Sequence, residues 1–162
     1  MEQEGGKFLS FLLEDEEYGI SIHKVKEIIG IMDITAIPKT PEFIRGVINL
    51  RGKIIPVLDL RLKFGLNEME YNQRTCIIVV EVYFSGSSRL MGIIVDTVSE
   101  VVNIQKGEIE PPPQYDSRVE EGFLTGIGKI KDKVVLLLEI EKVLGSEDLV
   151  VLNEKQEAML NV

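Results

Sequence analysis

Cysteine occurs once in the 162 residues, as Cys76, histidine once, as His23, and tryptophan not at all. A single cysteine excludes an internal disulfide and a cysteine-rich metal site, and a single histidine excludes a site with two imidazole ligands. Cys76 heads an apolar run, where a free thiol behaves as a small core hydrophobe, and no serine or cysteine stands in a nucleophile motif. Aromatic residues make up 6% of the chain and the formal net charge is −9. Nucleic acid needs a basic surface and benefits from stacking platforms, and this composition supplies neither. The same charge disfavours an anionic membrane. No apolar run approaches the roughly 20 residues of a membrane span, and no apolar signal core is found near the first residue. A cytoplasmic protein with no direct membrane insertion is expected. What the chain does have is apolar mass, 44% of its residues, enough for a core in one domain or two small ones.

Residues 43–60 organise the rest. Two apolar runs, 47–50 and 54–60, are separated by Arg51-Gly52-Lys53. A glycine there supplies the positive φ of a tight turn, so the stretch reads as a β-hairpin. Pro56 cannot donate to a ladder, which predicts an edge strand or a bulge. Arg51 lies beside apolar surface and calls for a carboxylate or carbonyl partner. Residues 8–13 and 18–22 flank the acidic stretch 14–17 and form a second expected hairpin. Val25, Ile28 and Ile29 fall at i, i+3 and i+4, the spacing of one face of a short helix or irregular turn. Gly65 ends a short helical turn. Residues 75–84 are nearly unbroken apolar and rich in β-branched side chains, which predicts a strand covered on both faces, with 90–95 returning beside it. After prolines 111–113, residues 124–130 and 134–140 read as strands, and Ser146 as the cap of a C-terminal helix to about residue 160.

The chain repeats itself. Residues 18–31 set against 91–104 share Gly19/Gly92, Ile20/Ile93, Val25/Val98, Glu27/Glu100 and Ile31/Ile104. Residues 46–65 set against 126–145 share Gly46/Gly126, Lys53/Lys133, Leu58/Leu138 and Gly65/Gly145, and the offset grows from 73 to 80. Neither half is large enough to be a comfortable domain alone, so two small β-barrels packed on each other are expected. That packing puts Val25, Ile28 and Ile29 in positions related to Val98, Val101 and Val102. Asp59 and Glu139 are equivalent in the repeat and read as local caps rather than an acid–base pair. Residues 122–129 superficially resemble a phosphate loop, but the spacing is one residue too long and Ile130 replaces the magnesium-binding hydroxyl. With no cofactor pattern and no visible active site, the profile is that of a binding module. The enzymatic alternative is a small hydrolase using carboxylates near Asp15, Asp59 or Asp96, which requires a pocket with converging polar groups.

Several segments together resemble the CheW family, the adaptors of bacterial chemotaxis. They are 17–22 (Glu-Tyr-Gly-Ile-Ser-Ile), 25–28 (Val-Lys-Glu-Ile), 37–38 (Ile-Pro), 43–52 (Phe-Ile-Arg-Gly-Val-Ile-Asn-Leu-Arg-Gly), 55–60, 92–96, the proline run and 124–128, in the right order across 8–145. The resemblance implies a mainly β protein of two packed SH3-like five-stranded barrels with short helices and a C-terminal helix. It implies one such domain over 8–150, with extensions at 1–7 and 151–162. It also implies no catalysis, no cofactor and two partners: the cytoplasmic tip of chemoreceptors and the regulatory domain of the histidine kinase CheA. The chain would then be recruited to membrane-associated receptor arrays. The 162 residues leave no room for the extra domains of a kinase or a receiver-fused coupler. Receptor helices would lie in a groove lined by Val25, Ile28, Ile29, Val98, Val101 and Val102, with Glu27 and Arg51 paired beside it; the same six apolar residues could instead form the core between the barrels. Kinase contacts would fall on Arg45, Cys76 and Tyr115, where tyrosine replaces the family's usual phenylalanine. The stretch 81–90 looks lengthened. An adaptor of a related chemosensory system, controlling pili or gene expression, would carry the same features.

Overall fold

In the computed structural model, which describes residues 3–84 and 86–145, both expected hairpins close through two-residue turns. Strand β1 (Gly6–Leu13) pairs with β2 (Glu16–Ser21) around Glu14-Asp15, and a 3-10 turn (Ile22–Lys24) leads into β3 (Val25–Gly30). The organising hairpin is β4 (Ile44–Leu50) and β5 (Lys53–Asp59), followed by the short helix α1 (Leu60–Lys63). Arg51 has φ 52 and Gly52 φ 88, the left-handed pair whose twist matches that of the flanking strands. The glycine was legible in this turn; the left-handed arginine was not. Next come β6 (Cys76–Phe84), β7 (Ser87–Val95), β8 (Thr97–Ile104) and β9 (Ile109–Glu110). Helix α2 (Ser117–Glu120), β10 (Leu124–Ile130), β11 (Lys133–Leu138) and α3 (Ile140–Val143) complete the order. The expected C-terminal helix and the extension 151–162 lie outside the described residues.

Three expectations need correction. The segment holding Val25, Ile28 and Ile29 is a strand, β3, antiparallel to β6 and bulged between Val25 and Glu27. A bulge breaks the two-residue period, so over five residues it imitates helical spacing. Strand β5 is interior, between β7 and β4. Pro56 is tolerated because pairing with β7 begins only at Val57, and the hairpin's bulge lies one rung away, at Arg45. Asp59 does cap α1, accepting from the backbone N–H of Arg61 at 3.0 Å and of Leu62 at 3.4 Å. Glu139, at the same position before α3, makes no side-chain cap bond.

The sheets run β8-β1-β2-β11-β10-β9 and β3-β6-β7-β5-β4. The first barrel is therefore the contiguous stretch β3 to β7, and the second combines the N-terminal hairpin with β8 to β11. Sequence repeats and barrels do not coincide: each repeat lends its first hairpin to the barrel completed by the other. The two parallel seams, Val57↔Gly92 in one barrel and Leu137↔Gly19 in the other, are equivalent under the repeat. The core divides accordingly. Ile48, Val57, Ile77 and Val79 fill the first barrel, and Phe8, Ile104, Val135 and Leu137 the second. The alternate faces, including Ile20, Leu58, Ile78, Val80 and Ile93, meet between the barrels in one larger cluster. That is why residues 77–80 are apolar on both faces. Phe11, Tyr18, Phe64 and Phe123 form a chain of ring contacts through this cluster, with centroids 5.6 to 5.9 Å apart.

Candidate functional site

Edge strands β3 and β8 are related by the repeat, and the repeat places the six groove candidates in matched pairs. Val25 and Val98 are half-buried against the cluster between the barrels. Ile28 and Val101 are exposed, 43% and 53%. Ile29 packs on the interior of the first barrel, and Val102, 8% exposed, lies in the interior of the second. The six residues therefore do not form one core between the barrels: along each strand they divide between that core, solvent and a barrel interior. Val102 is a core residue, and Ile29 turns toward the core. Val25, Ile28, Val98 and Val101 remain as candidates for a surface.

Glu27 and Arg51 do pair, with Arg51 Nη2 donating to Glu27 Oε2 at 2.6 Å. The Arg51 guanidinium holds the Glu27 carboxyl below its ordinary range, and Glu27 in turn raises Arg51. A carboxyl depressed in the folded state contributes stability above its unfolded pKa of about 4.3, which is lost as pH falls through the folded value. Carboxyl-detected NMR titration should therefore place the Glu27 midpoint below the exposed glutamates of the chain. In Arg51→Ala it should return to their range; an unchanged midpoint would show that Arg51 is not the cause. The repeat equivalent Glu100 accepts from Lys133 Nζ at 3.0 Å, and Lys133 also pairs with Glu17 at 2.9 Å.

The three kinase-contact candidates fall in different settings. Tyr115, after the proline run, is 89% exposed. Cys76 is half-buried, its thiol donating to Arg74 O at 3.3 Å. Arg45 is held internally, donating through Nε to Tyr71 Oη at 3.0 Å and through Nη2 to Glu68 at 2.5 Å. Burial pulls the Arg45 pKa down, but the Glu68 and Tyr71 bonds outweigh it and leave it raised. Tyr71 also donates to Asp59 at 2.7 Å, so Arg45 completes a local network.

Of the carboxylates of the hydrolase alternative, Asp15 is exposed in the β1–β2 turn, and Asp59 and Asp96 are engaged in the fold. Asp59 caps a helix and accepts from Tyr71. Asp96 accepts both Arg61 Nε at 2.6 Å and Arg61 Nη2 at 2.9 Å. Four cavities, of about 640, 310, 470 and 310 Å³, are lined by residues other than Asp15, Asp59 and Asp96. Sequence reading missed Arg61 and Arg118. Arg118 grips Asp116 with two bonds, at 3.0 and 2.7 Å, holds the carboxyl below its ordinary range, and reaches Tyr18. The available signal was an arginine directly after an apolar strand in Asp59-Leu60-Arg61.

Two SH3-like barrels sharing one core, with apolar residues exposed on their edge strands, define a scaffold-type binding module. The chain belongs to the CheW-like family: the model of the CheW-like domain matches residues 7–148. It is 42% identical over 145 residues to the chemotaxis protein CheW of Klebsiella aerogenes, covering 90% of this chain and 85% of that one. Against the chemotaxis protein CheW of Helicobacter pylori it is 37% identical over 139 residues, with 85% and 81% covered. The crystal structure of the scaffolding protein TtCheW from Thermoanaerobacter tengcongensis superposes with a TM-score of 0.77 at 39% identity, covering 89% of this chain and 95% of that one. No helix among the described residues is long and apolar enough to cross a membrane.

Proposed function

We propose that this chain is a non-catalytic chemotaxis scaffold in the cytoplasm that joins the tip of chemoreceptors to the regulatory domain of the kinase CheA. The observation that carries the reading, given the family, is the exposure of Ile28 and Val101 at repeat-equivalent positions on one edge strand of each barrel. Edge strands with exposed β-branched side chains leave apolar surface available to a partner helix. With Val25 and Val98 half-buried beneath them, the receptor-contacting set is Val25, Ile28, Val98 and Val101, bordered by the Glu27–Arg51 pair. Arg51 lies in the hairpin turn and orders this border. Tyr115 is the kinase-side anchor of choice, because an exposed aromatic side chain supplies contact area at little entropic cost.

The test is an NMR titration of the isotope-labelled chain with a receptor-tip helical hairpin. Shifts should cluster on β3 and β8. Ile28→Asp and Val101→Asp should each weaken binding by at least about tenfold, the effect of losing a well-packed interface anchor. Binding with both strands unshifted would remove these residues from the interface.

A further inference from the structure

The edge of the second barrel splits at a place where the first barrel is closed. Strand β9 pairs with β10 only at Glu110↔Ile127 and Ile109↔Gly128. Pro111 and Pro112 follow, and without N–H groups they cannot carry the ladder on toward Gly126 and Thr125. The result is a slot of about 310 Å³ between residues 109–112 and Thr125, with Gln3 in its lining. At the repeat-equivalent place, the bridge Thr35↔Val47 lays backbone directly over Gly46, where Thr35 O stands 2.0 Å from the position of a Cβ. Over Gly126 the nearest atoms belong to side chains, Ile109 Cγ2 at 2.8 Å and Gln3 Cβ at 3.3 Å.

Gln3 comes from the residues ahead of β1. Gly5 lies on the backbone of residues 104–106, so close that a Cβ would stand 2.6 Å from Lys106 N and 2.9 Å from Ile104 O. Only glycine fits there, and the Gly5-Gly6 pair is a pivot about which Gln3 and Glu4 can turn. What holds those two residues down is slight. Thr125 Oγ1 donates to Gln3 Oε1 at 2.7 Å, and Lys106 meets Glu4 at 3.7 Å with both side chains more than half exposed. A neutral hydrogen bond and an exposed ion pair are both weak in net terms, because water replaces each of them. Thr125 Oγ1 also lies 3.4 Å from Leu137 O, so its hydroxyl has a second acceptor when Gln3 leaves. Lifting Gln3 therefore strands no donor at Thr125.

We propose that residues 3–5 are an autoinhibitory strap: closed, they cover one side of the slot, and the regulatory domain of CheA binds the form in which the strap has lifted. The identity of the partner rests on the adaptor reading above. Continuity selects it, since the wall of the slot, residues 109–112, runs directly into Pro113 and on to Tyr115, 89% exposed and the kinase-side anchor. Lifting Gln3 uncovers Ile109, Pro111 and Pro112, apolar surface that an aliphatic side chain of the bound domain can cover. A partner that binds only the open form has its affinity reduced by the fraction of chains that are open.

Calorimetric titration of the full chain with the CheA regulatory domain tests this, beside a titration with the receptor-tip hairpin. Gln3→Ala and Thr125→Val each release the strap and should tighten kinase binding by about fivefold, the factor for a strap that is open about a fifth of the time. Thr125→Ser keeps the hydroxyl and should bind as the unsubstituted chain does. Receptor Kd should be the same in all four proteins, and amide spectra should confirm that the variants fold. In the unsubstituted chain, kinase binding should move the amide signals of residues 3–6 toward those of the Gln3→Ala variant. Unchanged kinase Kd in both Gln3→Ala and Thr125→Val overturns the inference and leaves the adaptor reading intact. Weaker kinase binding also overturns it, since the strap would then support the proline loop rather than cover the slot. An unsubstituted chain that does not bind the kinase domain overturns that half of the adaptor reading and this inference with it.

Discussion

Replacing Arg61 by alanine should lower the unfolding free energy by about 3–5 kcal/mol, the range for breaking a buried ion pair from one side. Arg61 is 8% exposed and reaches three elements at once. It holds Asp96 at the end of β7 with two bonds, Glu14 in the β1–β2 turn at 2.6 Å, and the backbone carbonyl of Asn67 at 2.9 Å. The N-terminal hairpin belongs to the second barrel and Asp96 follows a strand of the first, so this guanidinium clamps the barrels together. Alanine leaves the Asp96 carboxylate half-solvated beside an empty volume. Urea unfolding should show a lower midpoint with an unchanged slope. The double variant Arg61→Met, Asp96→Leu should recover most of the loss, because no buried charge is then left alone. A cost below about 1 kcal/mol would put Arg61 among ordinary surface pairs.

The repeat makes the clamp informative. Glu141 occupies the position equivalent to Arg61, and it pairs with Lys24, next to the residue equivalent to Asp96. The charges at the two clamps are reversed. A hairpin docked on the wrong helix would place Arg61 near Lys24 and Asp96 near Glu141, like charges in both cases, which disfavours that arrangement.

Gly46→Ala should be as damaging, by about 3–5 kcal/mol, for a backbone reason. Gly46 has φ 141, and a Cβ there would lie 2.0 Å from Thr35 O and 2.7 Å from Thr35 C. Both are backbone atoms, and Thr35 exchanges two hydrogen bonds of 2.9 Å with Val47. Relief therefore breaks that bridge, or forces a left-handed alanine against it. The loss should appear as a fall in Tm of about 10 °C. Gly126 is the repeat equivalent, at the same bulge, but its Cβ would meet Ile109 Cγ2 at 2.8 Å, a side chain that can shift. Gly126→Ala should cost about 1 kcal/mol, in the range of mild overpacking. Equal effects at the two glycines would refute this account.

Turn residues were the most legible part of the sequence. Gly52, Gly65 and the acidic stretch 14–17 mark points where φ or solvation restricts the chain within a few residues, so each turn was readable without its surroundings. The nearly unbroken apolar run at 75–84 pointed to a strand covered on both faces, which holds for Ile77–Val80 and Val82, while Tyr83 is exposed; only double burial suppresses the polar alternation. The Glu27–Arg51 pair was readable from family resemblance and from the need to satisfy a guanidinium beside apolar surface. The repeat disclosed two related halves.

Other features depended on tertiary structure. The repeat identities are silent about which half's hairpin completes which barrel, since β2 pairs with β11 and β7 with β5 whatever the linear order suggests. The side chains of Val25, Ile28 and Ile29 looked alike in sequence, yet pleat, bulge and neighbouring sheet send one to the joint core, one to solvent and one toward a barrel interior. Glu139 shares the position of Asp59 without its bonds, and Arg61 looked like an ordinary surface arginine until Glu14 and Asp96 met around it. By itself the sequence determined the turns, the strand character and the twofold plan, because those rest on the backbone and solvation preferences of neighbouring residues. Only the tertiary structure decided the exchange of hairpins, the exposed pair Ile28 and Val101, and the Arg61 clamp between the barrels, because each arises where segments tens of residues apart pair and pack.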